Sequence, residues 1–128
     1  MPTRNPAAPF VIGAQPESFN ATAETVYAVV GEAFYDVGQY EVLTLHAIVH
    51  TQPSGTSPTL DVKLQDSPDK TNWADISGAA VAQFTGGTQS GCNRASVTSF
   101  GRWVRVMKKC GGTGTIGYSY SVFVSPRE

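Results

Sequence analysis

Two histidines and three aspartates are the side chains in this sequence that come nearest to a metal site. His46 and His50 share one face of a predicted strand. At roughly 3.3 Å per residue they lie about 13 Å apart, which is too far for two ligands of one ion. Either histidine could still bind a metal with a carboxylate from a neighbouring strand, or be a polar residue on a half-exposed face. Asp66, Asp69 and Asp75 flank a turn and could offer oxygens to calcium, but their spacing matches no calcium loop and aspartate is common in turns. We predict no metal site and no cofactor.

Motifs of the known reaction classes are absent from the sequence. It contains no P-loop, no Gly-x-Ser-x-Gly, no His-Glu-x-x-His and no EF-hand loop. The five Asp and five Glu residues lie mostly at predicted turns or near the ends, so no pair stands out for glycoside hydrolysis. We therefore predict no catalytic residues and no enzymatic activity.

The two cysteines, Cys92 and Cys110, lie at equal distances from Gly101 along the chain. A hairpin that turns around Gly101 would place them opposite each other, about 4.5 to 5.5 Å apart, within the range that a disulfide accepts. A two-residue turn at Phe100–Gly101 would instead put them on opposite faces. A reducing cytoplasm would keep such a pair as neighbouring thiols until the protein reaches oxidising surroundings. The alternative is two independent small buried residues.

Length, composition and charge restrict the partners. The 128 residues fit one domain, and charged residues make up only 15% of them, against roughly 25% in an average soluble domain. The formal net charge of −1 provides no basic field for nucleic acid or anionic lipid, so we expect neither as a partner. No stretch approaches the ~18 apolar residues that span a bilayer, and the start lacks the apolar core of a signal peptide. We expect synthesis in the cytoplasm.

The apolar pattern predicts an all-β fold. Valine occurs 14 times against 4 leucines, and several segments alternate between apolar and polar residues. The clearest alternating sets are Leu43, Leu45, Ala47 and Val49; Leu60, Val62 and Leu64; and Ile116, Tyr118, Tyr120, Val122 and Val124. Residues 21–35 fit a helix or a strand, and we favour a strand. A hairpin is predicted between Arg94–Ser99 and Trp103–Lys109. Seven or eight such strands predict an antiparallel β-sandwich over residues 21–128, of jelly-roll or immunoglobulin-like type.

Residues 1–20 form the second predicted region, an extended arm rich in proline. Proline donates no ladder hydrogen bond, so Pro2, Pro6, Pro9 and Pro16 disfavour the interior of a sheet. Phe10, Val11 and Ile12 are the apolar triplet best able to dock. They would anchor the arm either on its own domain or on a neighbouring molecule.

Aromatic and basic residues allow a binding surface as well as a core. Six aromatic residues could form a flat platform for sugar rings, although large rings also fill sandwich cores and subunit contacts, which we favour. They are Tyr35, Tyr40, Trp73, Trp103, Tyr118 and Tyr120. The only basic cluster comprises Arg102, Arg105, Lys108 and Lys109. Such a cluster is more typical of a solvated edge that deters pairing between sheets than of a phosphate site.

Two stretches carry a resemblance to a known family. Residues 60–76, LDVKLQDSPDKTNWADI, and residues 101–106, GRWVRV, are followed by a glycine-rich turn and a Tyr/Ser/Val strand. This arrangement, over about residues 39–125, resembles small β-sandwich virion proteins of tailed bacteriophages, namely head decoration or cement proteins. The sequence departs from the family at Asp69–Lys70, where Asp-Gly is common, and lysine disfavours a positive φ.

The resemblance implies a protein without cofactor or active site that binds the lattice of the major capsid protein, commonly as a trimer and often through a terminal arm. We therefore expect a virion structural protein on the capsid surface that stabilises the head shell. A homo-oligomer, and a trimer in particular, agrees with a sheet-built domain whose few charges leave edges to cover. One alternative is a carbohydrate-binding module on a virion or cell surface, which requires Trp73 or Trp103 to be exposed. Another is a tail or neck component.

Overall fold

The computed structural model describes residues 10–19, 24–27, 34–50, 53–85 and 91–127. None of these residues is helical, and they form nine strands that pair only in antiparallel fashion. The prediction of an all-β antiparallel fold is thereby confirmed. The strands are β1 (Phe10–Phe19), β2 (Thr25–Tyr27), β3 (Tyr35–Asp36), β4 (Val42–Val49), β5 (Ser54–Ser67), β6 (Ala74–Ala80), β7 (Phe84–Thr85), β8 (Gly91–Val97) and β9 (Trp103–Arg127).

Strand β9 is the centre of the fold. Its first part pairs with β5, and its last part pairs with β4, which gives the strand order β6-β5-β9-β4-β8. Strands β1, β2 and β3 also pair with β9, while β7 pairs with β5. The sheet curves until β6 and β8 lie near each other, and Asn93 Nδ2 on β8 donates a hydrogen bond of 2.8 Å to the carbonyl of Ala82, just after β6. The result is a sandwich that is nearly closed.

Alternating side chains fill the interior, as the sequence pattern predicts. Successive residues of a strand point to opposite faces, so every second residue enters the core. All members of the three alternating sets are buried: Leu43, Leu45, Ala47, Val49, Leu60, Val62, Leu64, Ile116, Tyr118, Tyr120, Val122 and Val124. Val104 and Val106 on β9 join them. One continuous core therefore holds the two halves of the sandwich together.

The predicted hairpin between residues 94–99 and 103–109 is wrong. Strand β8 pairs with β4, where Arg94 lies opposite His46, whereas the start of β9 pairs with β5, where Trp103 lies opposite Ser67. Burial explains the difference, because Val104 and Val106 align with the apolar face of β5. The shorter β8, which is mostly small and polar, lies instead at the edge beside β4. The connection from residue 98 to 102 thus joins two strands that are not neighbours.

This correction separates the two cysteines. Cys92 lies opposite Ile48 on β8 and is exposed, while Cys110 lies opposite Leu60 on β9 and is buried. Neither takes part in a disulfide. The prediction that Cys92 lies opposite Cys110 depended on the hairpin. In the structure β8 pairs with β4 and the part of β9 around Cys110 pairs with β5, so the two cysteines are not opposite each other.

The second half of the predicted arm is a strand of the sheet. Residues Phe10–Phe19 form β1 beside β9, where Phe10 pairs with Val124 and Ile12 with Val122. The register shifts between Ile12 and Glu17, in the stretch that contains Pro16. Residues 1–9 lie outside the described residues. Contact of Phe10, Val11 and Ile12 with a partner stays a prediction.

The ambiguous segment 21–35 contains strand structure. Its described parts include β2 (Thr25–Tyr27) and the first residue of β3 (Tyr35–Asp36), both paired with β9. This agrees with the strand interpretation at those positions, while residues 21–23 and 28–33 lie outside the described residues. In the described part of the chain, no helix is long and apolar enough to cross a membrane.

Candidate binding surface

Three connections of the sandwich meet around Arg102. They are residues 37–41 between β3 and β4, residues 68–73 between β5 and β6, and residues 98–102 between β8 and β9. The N–H of Val37 donates to the carbonyl of Arg102 at 2.7 Å, and the N–H of Gly101 donates to Asp66 Oδ2 at 2.7 Å. These bonds fix the β8–β9 connection to the β3–β4 connection and to the end of β5, where the β5–β6 turn begins. Side chains on these connections therefore form a defined surface.

The β5–β6 turn is organised by the carboxylate of Asp69. It accepts hydrogen bonds from the N–H groups of Thr71 at 2.9 Å and Asn72 at 2.8 Å, and from Asn72 Nδ2 at 2.7 Å. These donors, led by the backbone N–H of Asn72, hold the pKa of Asp69 far below its usual range. The turn places Lys70 at a φ of 67°, so this lysine adopts the left-handed conformation that glycine would adopt without strain.

Aromatic rings and cations interleave on the surface beside this turn. We call the group of Phe34, Lys70, Trp73, Arg102, Trp103 and Arg105 the aromatic–cation cluster. The centre of the Phe34 ring lies 6.2 Å from that of Trp73 and 5.9 Å from that of Trp103, the latter in an edge-to-face arrangement. Both distances lie in the range of favourable aromatic pairs. Phe34 therefore joins the two tryptophans into one apolar patch.

Each tryptophan ring of the cluster also has a cation over it. Lys70 Nζ lies 4.2 Å from the centre of the Trp103 ring, and Arg102 Cζ lies 5.0 Å from the same point. Arg105 Cζ lies 4.5 Å from the centre of the Trp73 ring. Such contacts are attractive, and more weakly so at exposed sites than where the cation is desolvated. They also occupy the ring faces that a stacked sugar would need.

The three cations differ in their other partners. Arg102 forms an ion pair with Asp36 at 3.0 Å, and their hydrogen bonds lower the pKa of Asp36 and raise that of Arg102. Arg105 Nε donates to Gln65 Oε1 at 2.9 Å, and burial lowers the pKa of Arg105. Among the described residues, Lys70 takes part in no ion pair. Its charge attracts the carboxylate of Asp36 and contributes to the lowered pKa of that group.

Two shallow grooves border Arg102. One, of about 250 Å³, is lined by Val37, Tyr40 and Phe100, besides Arg102 and two glycines. The other, of about 310 Å³, lies between Asp36, Gln39 and Arg102. Arg102 therefore belongs both to the aromatic–cation cluster and to the lining of these grooves.

The residues considered as metal ligands are not brought together. His50 Nε2 is hydrogen-bonded to Ser121 Oγ at 2.8 Å, while His46 lies opposite Arg94. Asp66 accepts from Gly101, Asp69 organises its own turn, and Asp75 contacts Lys63 and Gln65. Within the described ranges, no group of three or more His, Cys, Asp or Glu residues could hold a metal ion.

The aromatic and basic residues of the sequence separate into two groups. Tyr118 and Tyr120 are buried, whereas Trp73 and Trp103 are half-buried and belong to the cluster. Of the basic residues, Lys108 is buried and Lys109 is exposed. Arg102 and Arg105 lie over tryptophan rings, and the side chain of Arg102 is 63% exposed.

Phe34 and Lys70 are the cluster residues that the sequence did not single out as binding candidates. Phe34 lies in the segment where helix and strand patterns compete. One feature of the sequence pointed to Lys70: it stands where the family that the sequence resembles commonly has glycine.

Cys110 and Tyr118 are two further side chains with strongly shifted pKa values, and both are buried. Burial raises the pKa of Cys110 to about 11 and that of Tyr118 to about 12. Both side chains are in the core, where a reactant has no access.

No protein-family model matches the chain, and no curated protein matches it either.

Proposed function

We propose that the protein is a non-enzymatic structural protein of a tailed-phage virion, a decoration or cement protein that binds the major capsid protein lattice and stabilises the head shell. One observation carries the proposal. The two stretches that resemble this family, residues 60–76 and 101–106, are joined by the hydrogen bond from Gly101 to Asp66 and by the contact of Lys70 with Trp103. The residues behind the resemblance thus belong to one structural unit.

The composition of that unit supports binding to protein. Tryptophan and arginine are the residues most enriched where truncation weakens protein interfaces, and apolar centres with polar rims are typical of such sites. The aromatic–cation cluster has this arrangement. A flat sugar platform has less support, because Lys70, Arg102 and Arg105 lie over the tryptophan rings.

The proposal includes assembly as a trimer and attachment through residues 1–20. A small domain built from one curved sheet has edges that other subunits can cover. Strand β1 pairs with β9 and with no other described strand, so a neighbouring chain could extend the sheet there. Light scattering on the purified protein and on protein released from capsids would measure the oligomeric state.

Co-sedimentation with capsids tests the proposal. Purified protein is mixed with phage capsids assembled without it, and bound protein is measured after centrifugation, with capsids of an unrelated phage as the control. We expect saturable binding and a higher temperature of capsid disruption. The absence of both effects would refute a decoration role. Immunogold labelling of intact virions separates a head position from the tail or neck alternative.

A further inference from the structure

We infer that the aromatic–cation cluster docks a carboxylate-bearing segment of a partner protein, with an apolar side chain against Phe34 and acidic side chains at Lys70 and Arg102. The choice of a protein as the partner rests on the proposed function. The location of the site and its preference for carboxylates come from the geometry of the cluster itself.

Lys70 is the first reason. Its φ of 67° places it in a conformation that costs a lysine energy and costs glycine little. Backbone strain at a residue other than glycine is concentrated at functional sites, where the side chain has a task that glycine could not perform. Here the strained residue holds an ammonium group over Trp103, 5.7 Å from the centre of Phe34.

The second reason is that the nearby carboxylates already form hydrogen bonds or ion pairs with other groups. Asp69 is occupied by the N–H groups of its own turn, and Asp36 by Arg102 and by the N–H of Gly38. Lys70 has no ion pair within the described ranges. Arg102 contacts Asp36 only through Nε and one Nη, and its side chain is 63% exposed. A carboxylate from outside can therefore reach both cations.

Phe34 is the third reason, because it provides an apolar contact between these charges. In the described part of the chain it is the only large hydrophobic side chain that is exposed, at 38%. An exposed ring next to two half-buried tryptophans resembles the apolar centre of an interface, and the three cations form its rim. Nucleic acid fits less well, because phosphate binding by counterion release needs a larger basic field than a chain of net charge −1 provides.

The tryptophan fluorescence of the protein reports on this cluster alone, because Trp73 and Trp103 are its only tryptophans. We would titrate the full chain with a synthetic decapeptide of alternating Glu and Leu, and follow tryptophan emission. A decapeptide of alternating Ser and Leu, an oligo-dT decamer and heparin serve as comparison probes. The Glu-Leu peptide should bind saturably and more tightly than the other three.

The decisive variant is Lys70→Gly, which removes the ammonium group and suits the backbone conformation. It should weaken binding of the Glu-Leu peptide about fivefold or more, as expected for the loss of a charge-assisted contact. Arg94→Ala is the control, because it removes an exposed cation from β8, which is separated from β9 by β4. Its affinity for the Glu-Leu peptide should stay within about twofold of that of the unmodified protein. Circular dichroism checks folding, and Lys70→Asn replaces Lys70→Gly if that variant does not fold.

Three results would overturn the inference: no emission change with the Glu-Leu peptide, equal binding by Lys70→Gly and the unmodified protein, or tighter binding of oligo-dT or heparin. The same variants in the capsid assay separate the two proposals. Capsid binding that is equal for Lys70→Gly and the unmodified protein contradicts the docking site and leaves the decoration role intact. Lys70-dependent peptide binding without any capsid binding contradicts the decoration role and supports the docking site.

Discussion

The ammonium group of Lys70 lies 4.2 Å from the centre of the Trp103 ring, at the point where the β5–β6 turn reaches the start of β9. Arg102 lies over the same ring, and Arg105 lies over Trp73. The tryptophans of this protein are therefore half-buried rings in a locally cationic environment.

This environment predicts the response of tryptophan fluorescence to ionic quenchers. Cations near the indoles attract iodide and repel caesium, so the ratio of the iodide to the caesium Stern–Volmer constant should exceed that of N-acetyltryptophanamide at equal ionic strength. Lys70→Gly should reduce the ratio, while Arg94→Ala should leave it unchanged. A ratio equal to that of N-acetyltryptophanamide would contradict the positions of Lys70, Arg102 and Arg105.

The carboxylate of Asp69 predicts a dependence of stability on pH. Its pKa is lower in the folded protein than the ordinary value of 3.8, so its contribution is present above about pH 4 and lost as the pH falls further. Asp69→Asn should lower the melting temperature at pH 7, because a neutral amide accepts the turn N–H groups less strongly. The two melting temperatures should converge as the pH falls below about 4.

Thermal melts of both proteins between pH 7 and pH 2.5 provide the measurement for Asp69. The comparison of the two proteins cancels the other carboxyl groups with lowered pKa values, Asp36 and Asp75. A difference in melting temperature that stays constant across this pH range would show that the turn does not depend on the charge of Asp69.

The cysteines should differ in reactivity. Cys92 is exposed, whereas Cys110 is buried and has a pKa of about 11, so little of it is thiolate at pH 8. Iodoacetamide should add one group per chain to the native protein and two in denaturant, as measured by intact mass. Cys92→Ser should abolish the native modification. Failure to modify either cysteine in denaturant without reductant would indicate the disulfide that the register does not provide.

Gly112 should be less replaceable than Gly114, the other glycine of β9 with a positive φ. The φ of Gly112 is +119°, and an added Cβ would lie 2.9 Å from the carbonyl oxygens of Thr56 and Ser57. Gly112→Ala should lower the free energy of unfolding by about 2 to 3 kcal/mol, from backbone strain and this clash together. Gly114 has a φ of +79° but open space around it, so Gly114→Ala should cost only about 1 kcal/mol. Urea unfolding compares the two, and equal losses would mean that the clash is relieved.

The strands were predictable from the sequence because burial imposes a period of two. Leu43 to Val49 and Leu60 to Leu64 show that period without interruption, and they became β4 and β5. The pairing of β8 was not predictable in the same way. A turn signal such as Phe100–Gly101 is equally compatible with a hairpin and with a crossing to another part of the sheet. The error in the register of Cys92 and Cys110 follows from that ambiguity.

The candidate site was only partly predictable, because its residues come from separate strands. From the sequence, Trp73 and Trp103 were grouped with four tyrosines, and Arg102 and Arg105 with two lysines. No local pattern states that the tryptophans and the arginines meet. Their assembly depends on the register of β5 and β9, in which Gln65 lies opposite Arg105 and Ser67 opposite Trp103. Register is a long-range property that the alternation of each strand does not determine.

The central position of β9 has a consequence for how the protein folds during translation. Of the nine described strands, β9 leaves the ribosome last, and β1, β2 and β3 pair with no other described strand. At roughly 5 to 20 residues per second, the early segments wait for seconds with unpaired backbone groups while only the β5–β6, β5–β7 and β4–β8 pairs can form. A ribosome that stalls before residue 103 would release a chain with open strand edges, which favours aggregation over folding.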